Sequence, residues 1–348
     1  MPESPPAIHN SDVATFKKCR QQWDFVSPLR SNLEPLREKP ALPFGTAIHA
    51  ALAAYYDPST DRDPGPAWEA FVTSIAGYWN SISLDHTDEE VIEYREAEVL
   101  GTEMLKHYFG WAPQEDDFTV VWVERAFTIP ILDGKAVYSF KPDGLVKDKK
   151  DNYWLLEHKT AKYLPENTEY LMMDDQAGRY LWGCEQVLGF RPEGVIYNFL
   201  RKKAPQVPRV LKDGFLSKDK RIDTTHAMAL QGIKDWHEGE VPAAYNEFLQ
   251  HLLLKGNRFF LREKVRRNEH EIALIGKSLE AEASDMLSDP YIYRTPNQFN
   301  CGYCSFVGPC LARWEGAAYQ TMLEGNYRLR SGNVEHSGSP SGVSVPRP

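Results

Sequence analysis

The sequence predicts an α/β fold in which a mixed β-sheet is flanked by helices, and two observations support this prediction. The first is the order of patterns along the chain: helices, a meander of strands, a helix, a further strand and helices again. The second is the composition, because 348 residues with 42% hydrophobic and 26% charged side chains suit a globular protein with a sizeable core.

The individual elements follow from the spacing of apolar residues. Helical spacing predicts helices at 11–26, 44–56, 66–80 and 88–109, and alternation predicts strands at 118–130, 135–147 and 152–160. A helix at about 170–188 is expected to end at Gly189, because glycine readily adopts the left-handed conformation that closes helices. The segment "GVIYNFL" predicts one more strand, and residues 240–288 are predicted to be mostly helical.

These elements are predicted to form one domain over residues 1–330. Its core at about 110–210 lies between a helical N-terminal part (11–109) and a helical, cysteine-rich C-terminal part (225–320). Residues 331–348 are rich in Gly, Ser and Pro, which predicts a disordered tail. No apolar run approaches the roughly 20 residues that span a bilayer, and no secretion signal is visible, so we expect a cytoplasmic protein.

The charge distribution is uneven. A net charge of −9 argues against indiscriminate binding to nucleic acid. However, residues 201–221 contain eight Lys or Arg against two Asp, and residues 255–267 contain six Lys or Arg against one Glu. Each segment could be a solvated face, but two of them in an acidic chain favour a polyanionic ligand. They are candidates for a track along a DNA backbone, where Phe259 and Phe260 either stack on bases or lie in the core.

The stretch "NYWLLEHKTA" combines a buried strand with charged residues. Three apolar residues run directly into Glu157 and, two residues later, Lys159. Upstream, the polar residues 147–152 predict a hairpin turn, and centring this turn near Lys150 makes residues whose numbers sum to 300 face each other. Asp143 then lies opposite Glu157 on one side of the sheet, and Lys159 shares that side.

The predicted proximity of Asp143 and Glu157 indicates a metal ion. Two carboxylates this close repel each other unless a proton or a cation lies between them, and hard oxygen ligands suit Mg²⁺ or Mn²⁺. A lysine beside the ion could position or deprotonate an attacking water, or neutralise charge on a phosphate. The alternative is a surface salt bridge of Lys159 with either acid. The apolar run before Glu157 favours the metal site, because a surface pair needs no buried strand behind it.

The motif "KPDGLV" followed by "LLEHKTA" resembles the two central motifs of the PD-(D/E)XK nucleases, in particular their RecB-like branch. The resemblance implies a restriction-endonuclease-like core in which Asp143 and Glu157 bind Mg²⁺ or Mn²⁺. It further implies that the backbone carbonyl of His158 is an extra ligand and that Lys159 assists the attacking water. The motif at 141–144 departs from the Gly-x-x-Asp of many relatives, which loses a glycine but keeps the acid.

Three further features match the same branch: two motifs described here and the cysteines described below. "LPFGTAIHAALAAYY" resembles its Gly-x-x-x-His helix, which implies that His49 is an additional metal ligand; in isolation it would be a packed, hydrogen-bonded histidine. "DDQAGRYLWGCEQVLG" resembles the Gln-x-x-x-Tyr motif, which implies that Gln176 and Tyr180, one helical turn apart, line the site and contact substrate. The alternative is a helix that packs on the sheet through Tyr180. The resemblance also aligns Glu124 with a strand glutamate common in relatives.

The cysteines suggest a second metal centre. Cys301, Cys304 and Cys310 lie within ten residues, a spacing more typical of metal ligands than of disulfides in a cytoplasmic protein. A tetrahedral site needs a fourth ligand, either Cys19 or Cys184, and Cys184 falls on the packed face of its predicted helix. "SDVATFKKCRQQWDF" resembles the N-terminal motif of the iron–sulfur RecB-like nucleases, which include AddB and the CRISPR-associated exonucleases. The resemblance implies that Cys19 and the three C-terminal cysteines hold a 4Fe-4S cluster that ties the two ends together; structural zinc is the alternative.

The resemblance spans residues 11–314 and implies a metal-dependent DNA nuclease. An exonuclease acting on single-stranded DNA or free ends in recombination, repair or replication is the leading hypothesis. The alternatives are a structure-selective endonuclease or nickase, a non-catalytic DNA-binding scaffold, and RNA as the substrate. The complete acid–acid–lysine set argues against the scaffold. No nucleotide-binding P-loop occurs, so a helicase or recombination partner would be a separate protein.

Overall fold

A computed structural model of the chain describes residues 4–36, 44–81, 87–288 and 290–330; the predicted tail at 331–348 lies outside them. The helices are α1 (Asn10–Lys18), α2 (Arg20–Val26), α3 (Phe44–Tyr56), α4 (Pro64–Ser81), α5 (Asp88–Glu115), α6 (Asp175–Leu188), α7 (His226–Trp236), α8 (Asn246–Lys255), α9 (Glu269–Leu287), α10 (Gln298–Gly302), α11 (Val307–Trp314) and α12 (Tyr319–Asn326). The strands are β1 (Ala7–Ile8), β2 (Leu33–Pro35), β3 (Phe118–Val123), β4 (Phe127–Ile131), β5 (Ala136–Phe140), β6 (Gly144–Asp148), β7 (Tyr153–Ala161), β8 (Gly194–Arg201), β9 (Phe260–Arg266) and β10 (Tyr327–Leu329).

The central sheet is mixed and has the strand order β3-β6-β7-β8-β9. Strands β7 and β8 are parallel, whereas the other neighbouring pairs are antiparallel. A parallel pair needs a crossover connection, and α6 lies in the connection between β7 and β8. The predicted α/β fold with a mixed sheet flanked by helices is therefore confirmed.

The two faces of this sheet carry different cores. Leu155 of β7 packs with residues of α1, α6 and α9, whereas its neighbours Trp154 and Leu156 pack with residues of α3, α4 and α5. Side chains alternate along a strand. Glu157 and Lys159 consequently continue the α6 face of β7, and the residue between them continues the α3 face.

Two smaller sheets connect distant parts of the chain. β1 pairs in parallel with β5, which also pairs with β4. β10 pairs antiparallel with β2, so residues 327–329 meet residues 33–35. No helix in the described ranges is long and apolar enough to cross a membrane.

Several predicted boundaries are accurate. The helix predicted at 44–56 has those bounds, and Gly189 closes α6 in the left-handed conformation, with a φ of 74°. The helix expected at 11–26 is wrong as one element, because Cys19 has an extended backbone (φ −165°, ψ 110°) that separates α1 from α2. The strand expected at 118–130 is also wrong as one element. Glu124 has a φ of 47°, and β3 and β4 on either side of it join different sheets.

Two further predictions are corrected by tertiary pairing. The strand expected at 135–147 is interrupted at residues 141–143, so β5 and β6 also join different sheets. The region 240–288 contains strand β9, which pairs with β8 along its length. A basic segment with few apolar residues gives a weak strand signal of its own, but the open edge of β8 supplies hydrogen-bond partners. Helix α7 lies within the helical part predicted at 225–320, although no separate helix with its bounds was predicted.

Candidate active site

The hairpin of β6 and β7 has the predicted register. Gly144 pairs with Leu156 and Leu145 with Leu155, so the next step along both strands brings Asp143 to Glu157. The turn is held by Asp148, whose carboxylate accepts hydrogen bonds from the backbone of residues 150 and 152 and from the Asn152 amide and the Trp154 indole. Local hydrogen bonding therefore fixes the register that places the two acids side by side.

Asp143 is the buried carboxylate on which two elements converge. Its Oδ2 accepts a hydrogen bond from the backbone N–H of His158 at 2.6 Å, and its Oδ1 lies 3.2 Å from Nδ1 of His49. Burial alone would raise the pKa of Asp143, but these contacts outweigh burial, so the pKa is lowered. For His49, burial alone would lower the pKa, but the contact with the Asp143 carboxylate outweighs burial, so the pKa of His49 is raised. Helix α3 and strand β7 thus hold a carboxylate–imidazole pair beside β6.

Glu157 and Lys159 form an ion pair on the α6 face of β7. The Lys159 Nζ lies 2.7 Å from Oε1 of Glu157 and 4.0 Å from Oδ2 of Asp174. Burial, and then repulsion by Asp143, raise the pKa of Glu157 to about 7 despite the lysine. Burial lowers the pKa of Lys159, but the Glu157 carboxylate outweighs it, so the pKa is raised and the amine is protonated at neutral pH.

The donor groups of the site fit a hard divalent cation. Among the described residues, the group whose ligand atoms all lie within 4.8 Å of one another is His49, Glu124 and Asp143. Glu157 is not part of this group; its Oε1 is bound by Lys159 instead. One imidazole and several partly buried carboxylates form a set that Mg²⁺ or Mn²⁺ prefers, and a cation would relieve their mutual repulsion.

Glu124 enters the site through a strained turn. Its backbone N–H donates to the Asp143 carbonyl at 2.9 Å, and its φ of 47° lies in the left-handed region that glutamate seldom adopts. Its Oε2 lies 2.7 Å from Nζ of Lys141. Burial raises the pKa of Glu124, and the negative charge of Asp143 raises it further. The contact with Lys141 lowers it, but the pKa remains above its usual value. The sequence resemblance indicated Glu124, whereas no signal in the sequence indicated its pairing with Lys141.

The His158 side chain lies on the opposite face from the acids. It stacks on Tyr56 with ring centroids 5.7 Å apart, and its Nδ1 lies 2.8 Å from the Asn198 amide nitrogen. Burial lowers the pKa of His158 to about 3, so the ring is neutral. In a strand, the N–H and C=O of one residue point to the same edge. The His158 N–H points to Asp143. The His158 carbonyl therefore also points to the side of β7 that faces Asp143, and the predicted backbone metal ligand would have to lie on this side.

Gln176 and Tyr180 adjoin the acids. The Gln176 amide donates to the Tyr180 hydroxyl at 3.1 Å, and the side chain of Asp174 caps the start of α6. Both residues line an open cleft of about 1040 Å³, to which Lys141 and Asp174 also contribute; none of the candidate metal ligands is part of its lining. The cleft reaches the candidate catalytic residues through Asp174, whose Oδ2 lies 4.0 Å from Nζ of Lys159. Burial, and then the Glu157 charge, raise the pKa of Tyr180 to about 12.

The four cysteines that the sequence groups together line one small cavity of about 120 Å³; they are Cys19, Cys301, Cys304 and Cys310. The backbone N–H of Thr295 donates to the Cys19 sulfur at 3.5 Å. Burial, with neighbouring thiols adding to it, raises the pKa of Cys304 and Cys310. Cys184 is fully buried in the core, and burial raises its pKa to about 12, as expected for a packing residue.

Several cations of the basic segments form ion pairs. Arg201 and Lys203 both bind Asp223, and Arg262 binds the buried Asp116. Phe259 and Phe260 are buried in the core. The prediction that their rings stack on bases is therefore wrong, and the alternative that they are core residues is confirmed. The DNA track along these segments stays a prediction.

The sequence of the chain matches the profile of the PD-(D/E)XK nuclease superfamily over residues 10–310. Because this match covers most of the 348 residues, the chain belongs to the PD-(D/E)XK nuclease superfamily. No curated protein gives a significant match to it. The superfamily membership indicates a nuclease, a hydrolase class that uses divalent metal ions.

Proposed function

We propose that this protein is a Mg²⁺- or Mn²⁺-dependent deoxyribonuclease of the RecB-like branch that acts in the cytoplasm. The observation that carries the proposal is the convergence of Asp143 and Glu157 at the open end of the β6–β7 hairpin. The ammonium group of Lys159 binds Glu157 there at 2.7 Å. His49, Asp143 and Glu157 are the side chains that would hold the metal, together with the carbonyl of His158. The proximity of Glu124 to His49 and Asp143 supports the same location.

A bound divalent cation supplies positive charge that polarises the phosphate and lowers the pKa of the attacking water. Lys159, whose Nζ lies 2.7 Å from Oε1 of Glu157, would orient that water and neutralise charge that develops on the phosphate oxygens. Water adds to phosphorus, the bond from phosphorus to the leaving oxygen breaks, and the leaving oxygen gains a proton. Glu157 keeps Lys159 pointed at the reacting group by accepting its hydrogen bond.

We further propose that the substrate is DNA with a single-stranded end, degraded exonucleolytically. The RecB-like resemblance suggests this activity, and the cleft supports it. The cleft of about 1040 Å³ is lined by Gln176, Tyr180 and Asp174, and Oδ2 of Asp174 lies 4.0 Å from Nζ of Lys159. In this proposal the two side chains contact the strand close to the scissile phosphate, and a helicase or recombination partner would deliver the end.

The four cysteines are proposed to hold a 4Fe-4S cluster. All four cysteines line one cavity, which supports a shared metal centre. In a cluster each thiolate binds a separate iron, and the resemblance of the N-terminal motif to the iron–sulfur RecB-like nucleases favours this arrangement over structural zinc.

The proposed function is tested by incubating the purified protein with linear and circular single-stranded DNA in EDTA, Mg²⁺ or Mn²⁺. The expected result is metal-dependent loss of the linear substrate, with the circle left intact. Asp143→Ala should be inactive, and added Mn²⁺ should not fully restore activity. Cleavage of the circle would replace the exonuclease by an endonuclease, and absence of cleavage of DNA in any metal would refute the proposal.

A further inference from the structure

The cleft beside the acids offers a DNA backbone few available cations. Each of the four Lys and Arg side chains that line it in the described part of the chain is paired with a carboxylate: Lys17 with Asp175 at 2.7 Å, Lys141 with Glu124 at 2.7 Å, Arg179 with Glu282 at 3.1 Å and Arg330 with Glu34 at 4.0 Å. The carboxylates neutralise part of the charge that these cations would offer to a phosphate, so opening of a pair would strengthen a charge-assisted contact with the entering strand.

The Lys141 pair differs from the other three in its carboxylate. Glu124 belongs to the group with His49 and Asp143 whose ligand atoms lie within 4.8 Å of one another. The same carboxylate is therefore within reach of both an amine and a divalent cation. The partners of the other cleft cations belong to no such group among the described residues.

We propose that the Glu124–Lys141 ion pair is a metal-controlled latch, in which Glu124 joins the metal ligands and releases Lys141 to bind a phosphate of the DNA strand in the cleft. This inference rests on the proposed function, because it concerns the same metal site. It adds Glu124 to the ligands and assigns Lys141 as a substrate-binding residue.

The geometry decides which partner moves. The backbone of Glu124 is held by its hydrogen bond to the Asp143 carbonyl, and the Glu124 carboxylate already lies within 4.8 Å of the ligand atoms of His49 and Asp143, so it can join the metal ligands without a backbone shift. Lys141 carries a flexible four-carbon chain, its side chain is 39% exposed, and it already forms part of the cleft wall. A partly exposed ion pair contributes little to stability, so it opens readily when a dication competes for the carboxylate.

The latch makes metal and DNA bind cooperatively. Without metal, Glu124 pairs with Lys141 and neutralises the charge that would bind the phosphate. With metal bound, Lys141 is available, and by thermodynamic reciprocity bound DNA must tighten metal binding by the same factor.

The test is fluorescence anisotropy with 5′-fluorescein-labelled (dT)20 in EDTA or in Ca²⁺, with gels verifying that the oligonucleotide stays intact. Wild type should bind roughly tenfold more tightly in Ca²⁺, the gain expected for one charge-assisted hydrogen bond. Glu124→Gln should bind tightly even in EDTA, because its neutral amide no longer neutralises Lys141. Lys141→Gln should bind weakly in both buffers, and its binding in Ca²⁺ should depend less steeply on salt than that of wild type.

Direct Mn²⁺ titration, followed by the electron paramagnetic resonance signal of free Mn²⁺, supplies the reciprocal readout. Glu124→Gln should weaken Mn²⁺ binding roughly tenfold, and Lys141→Gln should strengthen it because the competing amine is gone. The matched control is Lys147→Gln, which removes a lysine of β6 whose partner Asp151 lies outside the cleft. This control should keep the wild-type response in both titrations.

Two results would overturn the latch: Glu124→Gln binding (dT)20 in EDTA no better than wild type, or Lys141→Gln retaining the full gain in Ca²⁺. These outcomes are independent of cleavage. If wild type degrades DNA but shows no coupling, the latch fails and the nuclease proposal stands. If coupling is present but no nucleic acid is cleaved, the latch stands and the proposed function fails.

Discussion

At the scale of single residues, the protonation of Lys159 separates two roles that the sequence leaves open. A lysine in this motif could deprotonate water or act as a fixed positive charge. The contact with Glu157 raises the pKa of Lys159 against the effect of burial. In the metal-free protein the ion pair with Glu157 holds Lys159 as a fixed positive charge, and this geometry supports orientation of water and charge neutralisation.

We expect Lys159→Ala to reduce cleavage by at least about 100-fold, the usual effect of removing one group that stabilises developing charge. Binding of single-stranded DNA should change little, because the variant keeps the cleft residues. The measurement is single-turnover cleavage alongside anisotropy. Lys162→Ala, which removes an exposed lysine three residues further on, is the control and should cleave normally. Wild-type turnover by Lys159→Ala would remove this residue from the mechanism.

The raised pKa of Glu157 predicts that the stability of the metal-free protein depends on pH. Burial, and then Asp143, raise its pKa from 4.5 to about 7 in the folded state. A raised carboxyl pKa contributes stability that is fully present below about pH 4.5 and is lost as the pH rises through about 7. In EDTA, wild type should therefore lose stability relative to Glu157→Gln between pH 5 and 8, as measured by urea unfolding. Parallel curves for the two proteins would contradict the prediction.

At the scale of elements, a buried polar network positions β7 from its α3 face. The Asn198 amide lies 2.8 Å from Nδ1 of His158, and its oxygen accepts from Nε of Arg262 at 3.0 Å. Arg262 also binds the hydroxyl of Tyr56 at 2.7 Å and the buried Asp116 at 2.6 Å. The network joins β7, β8, β9 and the end of α5, so it fixes the strand whose other face carries the acids.

Removing the central cation of this network should be costly. Arg262→Met leaves Asp116 buried with one cation fewer, and we expect a loss of about 3–5 kcal/mol in the free energy of unfolding. Lys264→Met is the matched control, because Lys264 lies on the same strand and pairs with the exposed Asp117. Its loss should be about 0–1 kcal/mol. Equal losses for the two variants, measured by urea unfolding, would show that burial of the network is energetically unimportant.

At the scale of the whole molecule, N-terminal and C-terminal segments of the described chain meet. β10 pairs with β2, and the cysteine cavity is lined by residues from both ends. A crosslink between Cys19 and Cys301 would close a loop of about 280 residues, which removes several kcal/mol of unfolded-state entropy if disulfide arithmetic applies. These contacts support the proposal that residues 1–330 form one nuclease domain.

The proposed cluster predicts a brown protein when it is purified without oxygen. Cys19→Ser or Cys301→Ser should lose the visible absorption and unfold at a lower temperature than wild type, because the tie between the ends is lost. Cys184→Ala is the control; Cys184 is buried in the core away from the cavity, so this variant should keep the colour. A colourless protein that contains one equivalent of zinc would establish the zinc alternative.

Local patterns in the sequence were sufficient for the central hairpin. Apolar alternation, the polar turn around Asp148 and the charged end of β7 together determine the register that pairs Gly144 with Leu156, and the acids follow from it. The helix that carries His49 has the predicted bounds because its apolar periodicity is strong over a short span. Such features depend on interactions between residues close in sequence.

Only the tertiary structure decided the rest. The sequence does not reveal that β9 completes the sheet, because its strand character comes from the open edge of β8. It does not reveal the break at Cys19, where the backbone N–H of Gln21 donates to the Tyr293 carbonyl and the sulfur of Cys19 accepts from the backbone N–H of Thr295. Nor does it pair Glu124 with Lys141, since the two residues meet only when β3 and β6 come together. Contacts between distant segments depend on how the whole chain packs, and local propensity carries no record of them.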